Sequence, residues 1–332
     1  MNGPVEDRLA MEELDVVVEA ARGIAAPEPE IIALPASKRP DWSVALALAA
    51  TLVLWASAFT GIRYAVREYD ALGLAFARNT VTAVTLLGIG LVWKRDVFTR
   101  LGAGEWLRLA LAGVIGIAVY QGSLINGELS VDAGTASLII NTSPIFVALF
   151  ALVALKEHPG LHGWTGVFMG FLGAAILVSA RRGGTHVDYG ALLVLVAAVA
   201  QAVSFIIQKP LLARLGPFAV TTWVGVFGAM TLLPWAPQAW HGLSHASAQA
   251  TLAMVYLGLF PAAIGNLTWA YALSRLPAGR AATALYLTAP TALLISWLSL
   301  GERPSLQAML GGGVVIASVM LVNLRPRKTS GD

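Results

Sequence analysis

No cysteine occurs among the 332 residues of this chain. That excludes disulfide frameworks, thiolate metal sites and thiol nucleophiles, and leaves the redox compartment open. Charge is scarce as well: Asp, Glu, Lys and Arg supply 12% of the residues, half of the roughly 25% found in soluble domains. So little charge would not clothe the surface of a soluble protein of this length. The chain also lacks paired carboxylates, a serine nucleophile elbow, a zincin helix and a glycine loop ending in lysine, so no enzyme class, metal or cofactor is called for. Its net charge of +3 comes from basic residues scattered along loops, which argues against nucleic acid as a partner.

What is present in quantity is apolar residue, 57% of the chain. Ten hydrophobic segments follow one another: 43–65, 72–93, 106–125, 134–155, 164–180, 190–211, 220–235, 252–273, 281–300 and 306–324. Most approach the ~20 residues that cross a bilayer. The expected fold is therefore an all-α integral membrane protein of ten transmembrane helices. Residues 1–41 differ in kind, being acidic from Glu6 to Glu30 and Ala/Pro-rich. They read as a solvated, mostly disordered tail without a signal peptide, and 326–332 forms a second short tail.

The segment 136–166 has an echo at 282–311. Thr142, Pro144, Glu157, Pro159, Leu161 and Gly166 return in order as Thr288, Pro290, Glu302, Pro304, Leu306 and Gly311. Trp55, Ala56, Phe59 and Arg63 likewise match Gln201, Ala202, Phe205 and Lys209 in spacing. Ordered matches of this kind indicate internal duplication, with repeats at 42–182 and 188–325. Lys and Arg concentrate in alternate loops, which places both termini in the cytoplasm. With five helices per repeat, the second copy enters the membrane inverted relative to the first, an arrangement found in alternating-access transporters.

These residues carry a family resemblance. The run from Trp55 through Phe59 to Arg63, Arg78 in the second helix, the Thr-x-Pro segments ending at Pro144 and Pro290, and Gly301–Glu302–Arg303–Pro304 resemble the EamA family of the drug/metabolite transporter superfamily. The resemblance spans 42–324 and departs at Lys156, where Gly is frequent, and at Glu128. It implies two inverted five-helix repeats in the bacterial inner membrane, as a monomer or homodimer among membrane lipid. It also implies export of a small-molecule substrate, with amino acids leading and nucleotide sugars or other metabolites as alternatives. A membrane-embedded enzyme or scaffold on the same fold is the reading from a different class.

Candidate site residues follow from polarity inside apolar helices. Gln201, Ser204 and Gln208 share one face of the sixth helix, and Ser137, Asn141 and Pro144 share one face of the fourth. Tyr120, Gln121 and Asn126 lie on the third helix, and Asn266, Trp269 and Tyr271 on the eighth. Amides facing lipid would be unsatisfied, so these faces should point into the bundle, either into a cavity or into interhelical hydrogen bonds. Trp55, Trp269 and Tyr286 lie deep enough to suit an aromatic-lined substrate cavity or simple packing, whereas Trp93, Trp106, Trp164 and Trp235 suit an interfacial belt. Arg78 sits about two turns into its helix, where it either snorkels, caps a carbonyl or binds a carboxylate. Pro144 and Pro290 are expected mid-helix, as kinks or hinges that free the carbonyls of Ile140 and Tyr286. Arg63 and Lys209 read as snorkelling side chains, and Glu157 and Glu302 as caps of backbone amides. No carboxylate occupies a helix centre, and Glu128 stands near an edge. His241 and His245 have metal-like spacing but are expected in a loop without an acidic partner. Gly311 to Gly313 read as close helix packing.

Overall fold

The computed structural model of the chain describes residues 42–94, 97, 101–128, 139–179, 189–288, 290, 291, 294 and 306–323. The N-terminal tail, Ser137, the 301–304 motif with Glu302, and the side chains of Arg63 and Glu128 lie outside them. Every regular element among the described residues is helical. In order these are α1 (Trp42–Ala65), α2 (Ala71–Val92), α3 (Ala103–Gly113), α4 (Tyr120–Glu128), α5 (Ser143–Ala154), α6 (Gly160–Ser179) and α7 (Tyr189–Thr231). They are followed by α8 (Ala236–His245), α9 (Ala248–Leu257), α10 (Asn266–Arg275), α11 (Ala278–Ala284) and α12 (Leu306–Asn323). Two π-helical stretches, Val114–Val119 and Gly258–Gly265, join α3 to α4 and α9 to α10.

Four continuous helical stretches are long and apolar enough to cross a membrane: Ala71–Val92, Ala103–Gly127, Tyr189–Thr231 and Ala248–Arg275. Shorter apolar helices occupy Trp42–Ala58, Ser143–Ala154 and Met309–Leu321. The 43-residue α7 is two helices, broken at Gly216, whose φ of 77° is left-handed. Glycine tolerates that conformation, and Pro217 behind it suits the first turn of the next helix, where an amide hydrogen would have no partner. The sixth and seventh apolar segments therefore meet there, and neither stops where the apolar pattern suggested.

Two further expectations change. His241 and His245 lie on a helix, α8, rather than in a loop, with stacked rings 4.2 Å apart. At ten residues α8 is too short to span; its Gly242 packs beneath Tyr69. Pro144 does not interrupt a helix but stands in the first turn of α5, after a break at Asn141–Thr142. Thr142 Oγ1 donates to the Ile139 carbonyl at 2.6 Å across that break. Ahead of Pro290 the matched segment tightens into a 3₁₀ turn at Leu285–Leu287. Both prolines thus follow a change in helical winding.

Small residues let the helices approach at backbone distance, as membrane packing requires where no hydrophobic force separates helix from lipid. A Cβ on Gly173 would stand 2.8 Å from Val315 N and 3.0 Å from Gly311 O, so α6 and α12 meet backbone to backbone. Of the 311–313 glycines, Gly311 takes part in this packing through its carbonyl, whereas a Cβ on Gly313 would meet nothing within 4 Å. Trp106, half-buried near the start of α3, packs edge-on against Trp223 with ring centroids 4.6 Å apart.

Candidate functional site

The two π-helical stretches occupy matched positions when the halves of the chain are aligned on Glu157 and Glu302. A π turn carries an extra residue and leaves backbone carbonyls without their helical donors, and such turns recur at functional sites. Here side chains from the N-terminal half take up those carbonyls in the C-terminal stretch. Thr82 Oγ1 donates to Gly258 O at 2.8 Å and Trp55 Nε1 donates to Pro261 O at 3.2 Å. Thr51 and Thr268 hydroxyls pair at 2.8 Å beside Gly265. Pro261 itself has no backbone donor to give to this stretch.

The glycine that precedes or opens each π stretch is buried against another helix. A Cβ on Gly113 would meet Val224 O at 2.7 Å and Phe227 Cβ at 2.8 Å; one on Gly258 would meet Val81 Cβ at 2.7 Å and Arg78 O at 2.8 Å. Arg78 and Val81 stand as far along the chain from Trp55 as Val224 and Phe227 stand from Gln201. Helix α3 therefore packs on the C-terminal half in the way that α9 packs on the N-terminal half.

Three aromatic rings gather next to the second π stretch. Trp269 lies 5.7 Å from Trp55 and 4.8 Å from Phe205, centroid to centroid. Trp269 is 3% exposed, and its indole N–H is buried without a partner. Arg78 also keeps a buried Nε with no hydrogen-bond partner, and Tyr120 is the titratable group that acts on it electrostatically. Two donors are thus held ready in an apolar surrounding, where an unmade hydrogen bond costs about 1–3 kcal/mol.

The other expected site residues are placed as follows. Gln121 is buried and Asn266 half-buried; each follows a π stretch within two residues of its end. Gln201 and Asn141 are half-buried. Ser204 is buried with its hydroxyl donating to Ala112 O at 2.9 Å and accepting from Gln208 Nε2 at 3.0 Å, which ties α7 to α3. Asn126 is exposed and donates to Gly122 O on its own helix. Tyr286 lies apart from the aromatic trio, fully buried between α6 and α12 and donating to Val167 O at 3.2 Å.

Charged side chains sit at helix ends, where they complement the partial charges of unpaired backbone groups. Glu68 accepts from Ser247 N at 2.6 Å and Ser247 Oγ at 2.8 Å at the start of α9, and these bonds lower its pKa. At the far end of the same membrane-crossing stretch, Lys209 Nζ donates to the carbonyls of Leu273 and Leu276. Glu157 accepts from Ala278 N at 2.6 Å, with the Gly279 N–H also donating. Lys209 is therefore a cap rather than a snorkelling chain. Glu157 does cap a helix, but one in the other half of the chain, because the N-cap of α11 is Pro277, which has no side-chain acceptor. Arg214 pairs with Glu105 at 2.6 Å; with Arg214 mostly exposed, the pair contributes ~0–1 kcal/mol. Among the described residues no three His, Asp or Glu side chains gather as a metal site.

Sequence reasoning passed over the π stretches, Phe205 as a member of the aromatic trio, and the clamp on residues 276–278. One signal was available: Gly113 and Gly258 stand as far apart as Glu157 and Glu302.

Known proteins agree on the setting. The family description "EamA-like transporter family" matches residues 42–179 and again 188–324. A protein of Streptantibioticus cattleyicolor described as "Probable terminal-alkyne amino-acid exporter" is 40% identical over 282 residues, covering 84% of this chain and 93% of its own. The "Uncharacterized transporter YdfC" of Bacillus subtilis is 35% identical, covering 83% of this chain and 89% of its own. A solved crystal structure 19% identical in sequence superposes with a TM-score of 0.70 over 87% of this chain and 99% of its own, which shows the shared fold.

Proposed function

This chain belongs to the EamA-like transporter family, is a multi-pass membrane transporter and not an enzyme, and we propose that it exports amino acids or closely related metabolites by alternating access. In this reading ten spans form two inverted repeats, 42–182 and 188–325, with both termini in the cytoplasm of a bacterial cell and the path running between the repeats. The observation that carries it is the pair of matched π stretches, each packed on the opposite half, with Trp55, Trp269 and Phe205 beside one of them. Helices rewound in this way bend more readily than regular ones, and the bend lies where the halves touch. The Arg78 guanidinium suits a substrate carboxylate and the aromatic trio suits an apolar side chain. Gln121, Asn141, Gln201 and Asn266 supply polar contacts, and the breaks before Pro144 and Pro290 serve as hinges. The amino-acid class also has the support of the S. cattleyicolor relative's description.

Counterflow in proteoliposomes tests the reading. Purified protein is challenged with each of the twenty amino acids, with and without a pH gradient. Saturable exchange of at least one is expected. Its absence for all twenty would remove the amino-acid assignment, and exchange of nucleotide sugars instead would redirect it.

A further inference from the structure

The link between α10 and α11 is two residues long, Leu276 and Pro277, yet two charged side chains from distant segments converge on it and on Ala278, the first residue of α11. Lys209, from α7, holds the carbonyls of Leu273 and Leu276 on one side of the link. Glu157, from the segment between α5 and α6, holds the amide of Ala278 on the other. The two side chains also attract one another. Each opposes the partial charge of the helix end that it meets, a cation at the end of α10 and an anion at the start of α11. Pro277 in the link is exposed and Leu276 half-buried, but Ala272, Leu273, Ala278, Ala281 and Ala282 on either side of it are all fully buried.

The placement of these groups in the chain matters. Lys209 and the link belong to the C-terminal half, whereas Glu157 belongs to the N-terminal half. A motion that separates the halves at this end leaves the Lys209 contacts in place and must break the bond from Glu157 to Ala278. Pro277 offers no substitute acceptor, so the Ala278 amide then needs water. Ala278 is fully buried with Glu157 on its amide, so water takes that amide only once Glu157 has moved off with the other half. Opening and loss of the Glu157 bond are one event.

We propose that Glu157, seated on Ala278 just past the 276–277 link that Lys209 holds in shape, is a latch that keeps one end of the transport path shut. The proposal rests on the transport reading above and adds the element that controls access. A hydrogen bond to an ionised group shifts such an equilibrium roughly 10- to 100-fold. E157A removes the acceptor and favours the open arrangement. K209A unfastens the carbonyls of Leu273 and Leu276 and acts in the same direction. E157Q keeps an oxygen that can accept from Ala278 N and preserves the shut arrangement.

The absence of native cysteine makes the test direct. A single reporter thiol is introduced by A282C, beyond the link, or by A250C, at the opposite end of the same membrane-crossing stretch. Labelling by a membrane-impermeant maleimide is timed in vesicles of both orientations. In the E157A and K209A backgrounds A282C should label at least about tenfold faster, from one side only. A250C should keep its rate, and E157Q should label no faster than the parent. Unchanged A282C labelling in both backgrounds overturns the latch, as does acceleration of A282C and A250C together, since that is general loosening of the bundle. Counterflow by the parent is measured separately. If no solute exchanges while the one-sided labelling change persists, the transport reading fails and control of access by Glu157 stands.

Discussion

Adding one methyl group at Gly258 probes the contact on which the arrangement of the two halves depends. In G258A the new Cβ would lie 2.7 Å from Val81 Cβ and 2.8 Å from Arg78 O, against a comfortable carbon separation of ~3.5–4.0 Å. One of these neighbours is backbone, so the helices themselves must part by about 1 Å. Overpacking of this kind costs ~1–3 kcal/mol. The same displacement stretches the 2.8 Å bond from Thr82 Oγ1 to Gly258 O, and an interhelical bond in a membrane contributes about 0.6 kcal/mol. The expected loss is ~2–4 kcal/mol, or roughly 5–10 °C in the melting temperature of the purified protein. G88A is the control, because nothing stands within 4 Å of the added Cβ; it should be neutral or slightly stabilising, by up to ~1 kcal/mol. Thermal unfolding of the two variants in the same detergent decides the matter. If G258A melts with G88A, the close approach of the second π stretch to α2 is not what holds this contact together.

Three other outcomes follow from the same geometry. R78M should raise the melting temperature, by relieving an insertion cost of about 2.5–3.5 kcal/mol for a charge inside the membrane, while abolishing counterflow of carboxylate-bearing solutes; lower stability with transport intact would make Arg78 structural. W55F removes the donor to Pro261 O, should cost about 1 kcal/mol, and should change the order of preferred substrates in counterflow competition; an unchanged order would detach the aromatic trio from substrate choice. Burial raises the pKa of Glu157 in the latched arrangement above its ordinary value, outweighing Lys209 and the two amides. A group whose pKa is raised in one arrangement favours that arrangement when protonated, so the contribution is fully present below about pH 4.3 and is lost as pH rises through the latched value. A282C labelling, normalised to A250C, should therefore slow as pH falls, and E157Q should flatten the profile; an equally steep profile in E157Q would assign the titration to another group.

Several features could be read from residues alone because they depend on local composition and spacing. Sparse charge and recurrent apolar runs demand a membrane, whatever the packing. The ordered matches around Pro144 and Pro290 demand a duplicated unit. Deep aromatic residues such as Trp55 and Trp269 could be singled out because a polar tip on an apolar body has few suitable places in a bilayer. What could not be read was which groups would satisfy one another across the bundle. Tyr286 was as plausible a cavity residue as Trp269 until its hydroxyl met Val167 O and its ring filled the space beside Gly170.

The same division holds for the charged residues. That Lys209 lies near a helix end, and that Glu157 precedes a helix, are matters of linear order. That Lys209 closes α10 and Glu157 opens α11 is a matter of contact between segments more than fifty residues apart in the chain. Linear order can show that a backbone group at a helix end needs a partner, because the hydrogen-bond requirement is local. Only the folded chain decides which partner it meets, because hydrophobic segments can pack in many orders and the short polar contacts follow from the one adopted.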